Sequence, residues 1–553
     1  MYNEIMAIGV PGKLRALPAW AGRFPLTAIV LMQALVVCLP NGWLQASTLG
    51  LGPGRVLLVQ SLNLAILAAL PLLFRRPAAA VWLMTPLAAL ALYSTDFYYH
   101  FGGMPSVGAY LSLLQSNLQE ILDYLVLKWE FSLAVLAFSL AYGVLFLALA
   151  RRIAPEFLAR RRKGLLCACL CLIALIANWD TFPLDWNHTR PAGNEVPLKN
   201  SFPVGFFISA QHAYAFLHGR PAPSRDFHFH AWRPAAVAGP ETYVLAIGES
   251  ASAAYWSLSG YDGYDTNARM RGFQASGHML YFPRTVAQAN LTYLSVPMLI
   301  TSATPSQPER ARTEKSLLAA FKEAGFTTYW LSNQDAAAHM EEADFPLLLH
   351  RDTLSLVTNY DEDLLPLLDS VLAAPAEKKL IVLHLMGSHS LYRDRVPKAF
   401  ATPGLTGASL TADYVRSICY TDSVLDSVLG RLGRRPGRSF LWYVSDHGEE
   451  LRRGEVGHGS LKGSLDQYHV PMLFWANDRF LADAPGPVQA LRDRRGGLLS
   501  QGVTFPTFLG LAGVTYPGLD GTRDLAGPRF LAGPAPRVLR SDGGTEVLSL
   551  APK

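Results

Sequence analysis

Adjacent aspartate and histidine residues stand at the end of an apolar run in the motif Ser445-Asp446-His447-Gly448. The run itself, Phe440–Val444, is short and continuous, which predicts a buried strand. Two such side chains at the end of a strand can reach one ion, and a carboxylate together with an imidazole suits zinc. A turn with a capping aspartate and an incidental histidine explains the motif alone equally well.

Three further polar residues follow apolar runs or lie near the Asp-His pair. Glu249 comes directly after Tyr243–Gly248, His389 comes after Leu380–Leu385, and His458 lies between two glycines. Taken singly, Glu249 is typical of a residue that caps the next helix, and each histidine is typical of an incidental loop residue. Taken together, they add a second carboxylate and two imidazoles to the groups that could bind a metal ion beside Asp446 and His447.

Short apolar runs alternate with helical patterns after Glu241, which predicts an α/β domain with a mainly parallel sheet covered by helices on both faces. The predicted strands are Tyr243–Gly248, Thr327–Leu331, Leu380–Leu385, Phe440–Val444 and Val470–Trp475, and the predicted helices are Glu314–Ala324, Asp361–Leu372 and Ala412–Leu432. Sites in such sheets form at the carboxyl ends of the strands. This rule gathers Glu249, His389 and the Asp-His pair at one edge. We expect His384 to be a hydrogen-bonded core residue and Ser250 and Ser252 to be capping or turn hydroxyls.

Thr292 begins the apolar segment Thr292–Leu299, which lies between two of the predicted strands. A threonine hydroxyl is a poor nucleophile at neutral pH, but coordination to a metal stabilises its alkoxide. If Thr292 starts a helix, the helix N-terminus also favours a bound phosphate. We therefore interpret Thr292 as a nucleophile held by a metal.

Five long runs without charged residues precede the α/β pattern and predict five transmembrane helices, since a helix needs about 20 apolar residues to cross a bilayer core. The runs are Phe24–Gly54, Val56–Phe74, Pro77–Thr95, Phe131–Ala150 and Gly164–Trp179. Clusters of Arg and Lys before the first run and after the second and fourth fall on one side if the N-terminus is cytoplasmic. The α/β domain then lies outside the membrane, which in a Gram-negative bacterium means the periplasm, beyond the inner membrane.

We predict a transmembrane domain over residues 1–180, a linker over 181–240 and a catalytic domain over 241–553. The linker includes an apolar segment, Ser201–Leu217, that is expected to form a helix on the membrane surface. Leucines at helical spacing also predict an amphipathic helix near 106–128. On another face of that helix, Ser112, Ser116 and Glu120 follow one another at four-residue steps, and a solvated polar face explains them as well as a binding role.

Composition excludes several other classes of protein. Of the 553 residues 50% are apolar and only 16% are charged, which is low for a soluble protein. The net charge of +5 comes from arginine clusters beside the apolar runs, so we expect no nucleic-acid partner. Cys419 is the one cysteine after residue 180, so that half of the chain can form no internal disulfide.

The order of these motifs resembles that of the phosphoethanolamine transferases of the alkaline-phosphatase/sulfatase superfamily, which include lipid A-modifying and colistin (polymyxin) resistance enzymes. The resemblance covers nearly the whole chain, including the predicted membrane spans. The motifs that carry it are Gly248-Glu249-Ser250, Thr292-x-x-Ser295-Val296-Pro297, Gly387-x-His389, Ser445-Asp446-His447-Gly448-Glu449 and His458-Gly459.

The resemblance implies a zinc enzyme in which Glu249, Thr292, Asp446 and His447 bind one Zn²⁺. It implies that Thr292 attacks phosphatidylethanolamine, displaces diacylglycerol and carries phosphoethanolamine as a covalent intermediate. His389 and His458 are expected to contact the phosphate, hold a second zinc or move protons. Ser112, Ser116 and Glu120 match the spacing of a lipid-headgroup face in the family. A monomer is expected.

Two departures leave the acceptor open. The colistin-resistance enzymes carry disulfides in the soluble domain, and they have a lysine shortly after an Asn-Gln pair, whereas here Asn333-Gln334 is followed by His339 and no lysine. Lipid A, core oligosaccharide and another envelope glycan are all compatible acceptors. Alternative functions are a phosphoglycerol transferase or phosphoesterase on the same scaffold, and a transport or assembly protein with an inactive soluble domain.

Overall fold

The computed structural model describes residues 24–49, 52–74, 76–101, 105, 110, 125, 128–153, 201–218, 226–235, 237–334, 339–349, 359–407, 409–451, 457–460, 464–541, 543–548 and 550. The chain divides into two compact units, one with the apolar helices and one with the α/β domain. The predicted span Gly164–Trp179 and the predicted headgroup residues Ser112, Ser116 and Glu120 lie outside the described residues. The bounds of the three predicted domains, 1–180, 181–240 and 241–553, stay predictions.

The first unit is built from apolar helices. Their bounds are Pro25–Gln33, continued through a π-helical turn at Ala34–Cys38 into Leu39–Leu49, then Pro53–Ala69, Val81–Phe101 and Trp129–Ala150. By length and composition, three stretches of the described chain can cross a membrane: Pro25–Ser47, Pro77–Tyr99 and Trp129–Ala150. The second predicted span forms a shorter apolar helix, Val56–Ala69, so five spans are not confirmed. The predicted helix in Ser201–Leu217 is present as Val204–His218.

The α/β domain contains all of the described strands. They are β1 Glu241–Gly248, β2 Met279–Tyr281, β3 Thr285–Val286, β4 Thr327–Ser332, β5 Phe345–Leu348, β6 Lys378–His384, β7 Arg438–Ser445, β8 His469–Val470, β9 Met472–Ala476, β10 Leu499–Ser500, β11 Arg537–Leu539 and β12 Thr545–Val547. Each of the five predicted strands is present. The predicted run Val470–Trp475 is divided between β8 and β9, with a proline between them.

Within the described chain, the main sheet has the strand order β2-β9-β7-β1-β6-β4-β5. The five strands from β7 to β5 are parallel, whereas β9 runs antiparallel to both β7 and β2. The sheet is therefore mixed rather than purely parallel, and the predicted run Val470–Trp475 contributes the antiparallel strand β9. No α-helix is described between β7 and β9, and a parallel return would need a long crossover connection, usually a helix.

Helices cover both faces of the main sheet, as predicted. One face packs against Thr292–Ile300, Leu317–Glu323, Asp478–Asp483, Pro485–Arg494 and Thr504–Leu511, and the other against Ala268–Ala275, Leu364–Ala373 and Leu410–Gly433. Alternate residues of β1 therefore face different cores: Tyr243 and Leu245 face the first, and Val244 faces the second. Burial of each such large apolar side chain contributes about 1.5–3 kcal/mol.

The register of the central strands brings their carboxyl ends together. Gly248 at the end of β1 is paired with Ser445 at the end of β7, and β6 lies parallel on the other side of β1. The next residues, Glu249 and Asp446, therefore emerge side by side at the same edge. Parallel pairing alone places these two carboxylates together, although 196 residues separate Ser250 from Asp446, which it contacts.

Candidate active site

Glu249, Asp446 and His447 form a buried acidic cluster beyond the ends of β1 and β7. The Nε2 atom of His447 lies 3.4 Å from Oε1 of Glu249 and 3.3 Å from Oδ2 of Asp446. All three side chains are at most 1% exposed. The cluster that the strand-end rule predicted is thus present, and its ligand atoms are close enough together to hold one metal ion.

Thr292 completes this cluster from a different element. It is the first residue of the helix Thr292–Ile300, which follows extended backbone at Leu291. The Thr292 Oγ1 atom lies 3.1 Å from Oε2 of Glu249 and 3.1 Å from Nε2 of His447. Thr292 therefore starts a helix, which is the condition under which the sequence favoured a bound phosphate, and the N-terminus of this helix lies beside Glu249 and His447.

The donor set of this cluster fits a zinc ion. The Nδ1 atom of His447 lies 2.9 Å from the carbonyl oxygen of Gly448, and because that oxygen can only accept, Nδ1 carries the proton and Nε2 presents a lone pair. The Oδ2 atom of Asp446 is buried without a hydrogen-bond partner among the described residues. An imidazole lone pair, an unpaired carboxylate oxygen, a second carboxylate and a hydroxyl are suitable zinc ligands.

Burial is the largest cause of the pKa shifts of Asp446 and His447. It raises the pKa of Asp446 well above its usual value, and the nearby charge of Glu249 raises it further. Burial also lowers the pKa of His447 to about 4, and His458 strengthens this effect. His447 is therefore neutral at pH 7, which is the form of histidine that binds a metal.

His389 and His458 lie beside the cluster, as the sequence predicted. The ring of His458 is centred 4.2 Å from the ring of His447 and 6.3 Å from that of His389. Its Nδ1 atom lies 2.7 Å from Oε2 of Glu449, whose other oxygen accepts a hydrogen bond from the hydroxyl of Tyr392. Burial lowers the pKa of His458, but the charge of Glu449 outweighs burial and leaves that pKa raised.

Two polar residues to which the sequence assigned no such role, Ser250 and Gln334, hold Glu249 in place. Ser250 donates from its hydroxyl to Oε1 of Glu249 at 2.6 Å, so its interpretation as a capping hydroxyl was wrong. The Nε2 atom of Gln334 donates to Oε2 of Glu249 at 3.0 Å and to the carbonyl oxygen of Leu385 at 2.7 Å. Ser252 does cap the next turn, because its side chain accepts from Ala254 N.

A buried carboxylate also shapes the loop before His389. Asp361 accepts hydrogen bonds from the backbone nitrogens of Met386 and Gly387 at 2.8 and 2.9 Å. Gly387 has φ +51°, and a Cβ atom there would lie 2.8 Å from the carbonyl oxygen of Glu249. The Gly387-x-His389 motif therefore reflects a close approach of two strand-end loops. His384 is buried in β6, but its Nε2 has no partner among the described residues, so only its Nδ1, near Ser332, is hydrogen-bonded.

Comparison with known proteins agrees with this fold. The family model described as Sulfatase matches residues 241–514, so this part of the chain is a sulfatase-type domain. Phosphoethanolamine transferase EptC of Escherichia coli K12 is 25% identical over 478 residues, which cover 80% of this chain and 81% of that protein. The resemblance to phosphoethanolamine transferases is thereby confirmed.

Two solved structures show the same fold. The integral membrane lipooligosaccharide phosphoethanolamine transferase A of Neisseria meningitidis aligns with a TM-score of 0.70 over 91% of this chain and 97% of its own, at 18% identity. The C-terminal periplasmic domain of Escherichia coli EptC, solved in complex with Zn, aligns with a TM-score of 0.52 over 59% of this chain and 96% of its own, at 24% identity. The fold relationship therefore extends across both units of the molecule.

Proposed function

We propose that this protein is a zinc-dependent phosphoethanolamine transferase that moves phosphoethanolamine from phosphatidylethanolamine to an envelope glycolipid or glycan. One observation carries the proposal: the Thr292 hydroxyl lies within 3.1 Å of both a carboxylate oxygen of Glu249 and a metal-binding nitrogen of His447. The names of the relatives support the transferred group, and the three long apolar helices support residence in the bacterial inner membrane. The catalytic domain then faces the periplasm.

Glu249, Thr292, Asp446 and His447 are the residues that would hold the zinc. The ion, when bound, would stabilise the Thr292 alkoxide and neutralise phosphate oxygens. The threonine oxygen forms a bond to phosphorus as the bond from phosphorus to the diacylglycerol oxygen breaks. His389 and His458 stand beside the cluster and take up the roles of proton carriers: one proton leaves the Thr292 hydroxyl, and one enters the diacylglycerol oxygen.

In the second half of the reaction, a hydroxyl or phosphate oxygen of the acceptor attacks the same phosphorus and releases Thr292. The name of the Neisseria protein supports lipooligosaccharide as an acceptor class. No lysine stands shortly after Asn333-Gln334; Gln334 supports Glu249, while His339 is hydrogen-bonded to Glu342. A core sugar or another glycan therefore remains an acceptor to be tested beside lipid A. Ser112, Ser116 and Glu120 are proposed as headgroup contacts on spacing alone.

Trapping the covalent intermediate tests the proposal. The purified protein is incubated with phosphatidylethanolamine in detergent micelles, quenched in acid and digested, and the mass of the Thr292 peptide is measured. We expect an added phosphoethanolamine that is absent from Thr292→Ala. Thr301→Ala is the matched control, because Thr301 lies at the other end of the same helix, where its hydroxyl donates to the carbonyl oxygen of Pro297 and accepts from the backbone nitrogen of Ala303.

The outcomes separate the alternatives. A phosphoglycerol adduct formed from phosphatidylglycerol would replace the proposal with a phosphoglycerol transferase. Release of free phosphoethanolamine without transfer to any added glycolipid would indicate a phosphoesterase. No adduct from either lipid, with unchanged envelope phosphoethanolamine in cells that carry Thr292→Ala, would support an inactive soluble domain.

A further inference from the structure

Gln501 is a buried glutamine whose side chain contacts both halves of the candidate active site. It is 0% exposed and begins the turn after β10. Its Nε2 atom donates to the carbonyl oxygens of Ser445 and Asp446 at 2.8 and 3.1 Å. Its Oε1 atom accepts from the backbone nitrogen of Gln288 and from the hydroxyl of Ser295, both at 3.0 Å. In this orientation, each end of the amide group forms two hydrogen bonds. The reversed orientation would place the amide oxygen against two carbonyl oxygens.

The two groups bonded to Oε1 lie on opposite sides of Thr292 in the chain. Gln288 precedes it by four positions, and Ser295 is in the first turn of its helix. The Ser295 hydroxyl also lies 2.6 Å from the carbonyl oxygen of Asp446. The segment that carries the threonine is thus tied on both sides to the turn that carries Asp446 and His447.

The turn that carries Gln501 is closely packed at its next residue, Gly502. A Cβ atom on Gly502 would lie 2.7 Å from Oε1 of Gln288 and 2.9 Å from a guanidinium nitrogen of Arg523. Arg523 in turn donates to the carbonyl oxygen of Gly502 at 2.6 Å and to that of Ser302, just beyond the Thr292 helix, at 3.2 Å. The turn is therefore packed against both ends of that helix.

We propose that Gln501 is a positioning residue that sets the separation between the Thr292 hydroxyl and the Asp446-His447 ligand pair. This inference rests on the proposed function, because it assigns Gln501 to the same reaction. Reaction rates fall steeply when a reacting group is displaced, and a shift of about 1 Å can cost roughly 100-fold. Gln501 has no described contact with a ligand side chain, so it acts through backbone carbonyls.

Gln501→Glu is the most selective test, since it keeps the size and the Oε1 acceptor but turns the Nε2 donor into an oxygen facing two carbonyls. We expect kcat to fall by about 100-fold with little change in KM for phosphatidylethanolamine. We expect zinc affinity, measured by competition with a fluorescent chelator, to fall by about 10-fold or more. A merely structural role would lower the melting temperature without this split between kcat and KM.

Asn477→Ala is the matched control, because Asn477 is also a buried amide that links β7 to a helix, but at the amino end of the strand. Its Oδ1 accepts from Ser439 N and Phe480 N at 3.1 and 3.0 Å, and its Nδ2 donates to Gly437 O at 2.8 Å. We expect it to lower the melting temperature while leaving kcat and zinc affinity within about twofold of the wild-type values.

Thr292→Ala, assayed in parallel, distinguishes a failure of the role inferred for Gln501 from a failure of the proposed function. If Thr292→Ala is inactive and Gln501→Glu keeps kcat and zinc affinity within about threefold, the role of Gln501 is overturned and the proposed function stands. If Thr292→Ala remains active, the proposed function itself fails. If Gln501→Glu does not fold, Ser295→Ala removes one of the same links, and a kcat within about threefold of wild type in that variant overturns the inference.

Discussion

Buried carboxylates lie at both ends of strands β1 and β7, but only at one end are they paired with an arginine or lysine of the described chain. At the amino end, the two terminal nitrogens of the Arg233 guanidinium donate to Glu241, at 2.6 and 2.9 Å, and the hydroxyl of Tyr243 donates to the same carboxylate. At the carboxyl end, Glu249 and Asp446 are just as buried, yet among the described residues neither forms an ion pair with an arginine or lysine.

The difference distinguishes a structural end of the sheet from a functional one. A buried carboxylate is costly unless a charge of opposite sign compensates it. The protein supplies that charge itself at Glu241, whereas the ligand atoms of Glu249 and Asp446, together with that of His447, lie close enough together to hold a metal ion. This supports a metal centre at the carboxyl end more directly than the identity of any single residue, and it predicts opposite effects of mutation at the two ends.

Asp446→Asn should have the largest effect on function. We expect loss of transfer by at least about 1,000-fold and loss of zinc affinity by at least about 100-fold, since even outer partners of a ligand contribute 10–100-fold. Measured in excess chelator, the stability of the variant should equal or exceed that of the wild type, because the substitution removes a carboxyl group whose ionisation burial and the nearby Glu249 oppose. A metal-free variant that unfolds earlier than the metal-free wild type would contradict this view of the carboxyl end.

Arg233→Met should have the opposite pattern. It leaves the Glu241 carboxylate buried without its partner, so we expect the free energy of unfolding to fall by about 3–5 kcal/mol. Zinc affinity and kcat of the folded fraction should be unchanged, and denaturant titration with a parallel activity assay checks both. The comparison between the two ends breaks down if kcat falls while stability does not.

His339→Gln should have the smallest effect and should depend on pH. His339 is buried between Glu342 Oε1 and the carbonyl oxygen of Ala311, both at 2.8 Å. Burial lowers its pKa, but the hydrogen bond and charge of Glu342, helped by Glu341, outweigh burial and leave the pKa raised. The stabilisation is therefore complete below the ordinary pKa of histidine and is lost as pH rises through the folded-state pKa.

We expect His339→Gln to cost about 1.5–3 kcal/mol at pH 5.5, the usual contribution of a hydrogen bond to a charged group. The difference from wild type should shrink as pH rises, which urea unfolding at several pH values measures. A difference that is constant or grows with pH would show that His339 is not held as a cation. The His339–Glu342 pair is intermediate between the two ends of the sheet, because its carboxylate has a cationic partner only while His339 is protonated.

Much of the candidate site followed from local patterns in the sequence. Glu249 and the Asp446-His447 pair each come directly after a strand that is recognisable from its continuous apolar residues. The parallel pairing of β1 with β7 then places these side chains next to each other. Ser250, Gln334 and Gln501 escaped prediction because each acts through contacts with residues far away in the chain. No periodicity or spacing marks a glutamine that bonds the carbonyls of a distant turn.

Local sequence patterns predicted that a strand or helix exists more accurately than its direction or its bounds. The apolar pattern of Val470–Trp475 predicted a strand but not its direction, which depends on the path of the connection from β7. Ser316 caps the helix Leu317–Glu323, so this helix begins later than its apolar pattern alone suggested. In the membrane unit, the α-helix of the second predicted span, Val56–Phe74, ends at Ala69 and a 3-10 turn follows over Leu70–Leu73, which the charge-free length did not predict.

By itself, the sequence determined the kinds of groups available for chemistry, because strand-end position and apolar patterning are local properties. It also determined the division between an apolar helical part and an α/β part. Only the tertiary structure decided which of these groups meet, since the Thr292 helix, the Asp446-His447 turn and Gln501 come from separate elements. Their mutual distances are set by the register of β1 with β7 and by packing of the intervening helices, and these are collective properties of the folded domain.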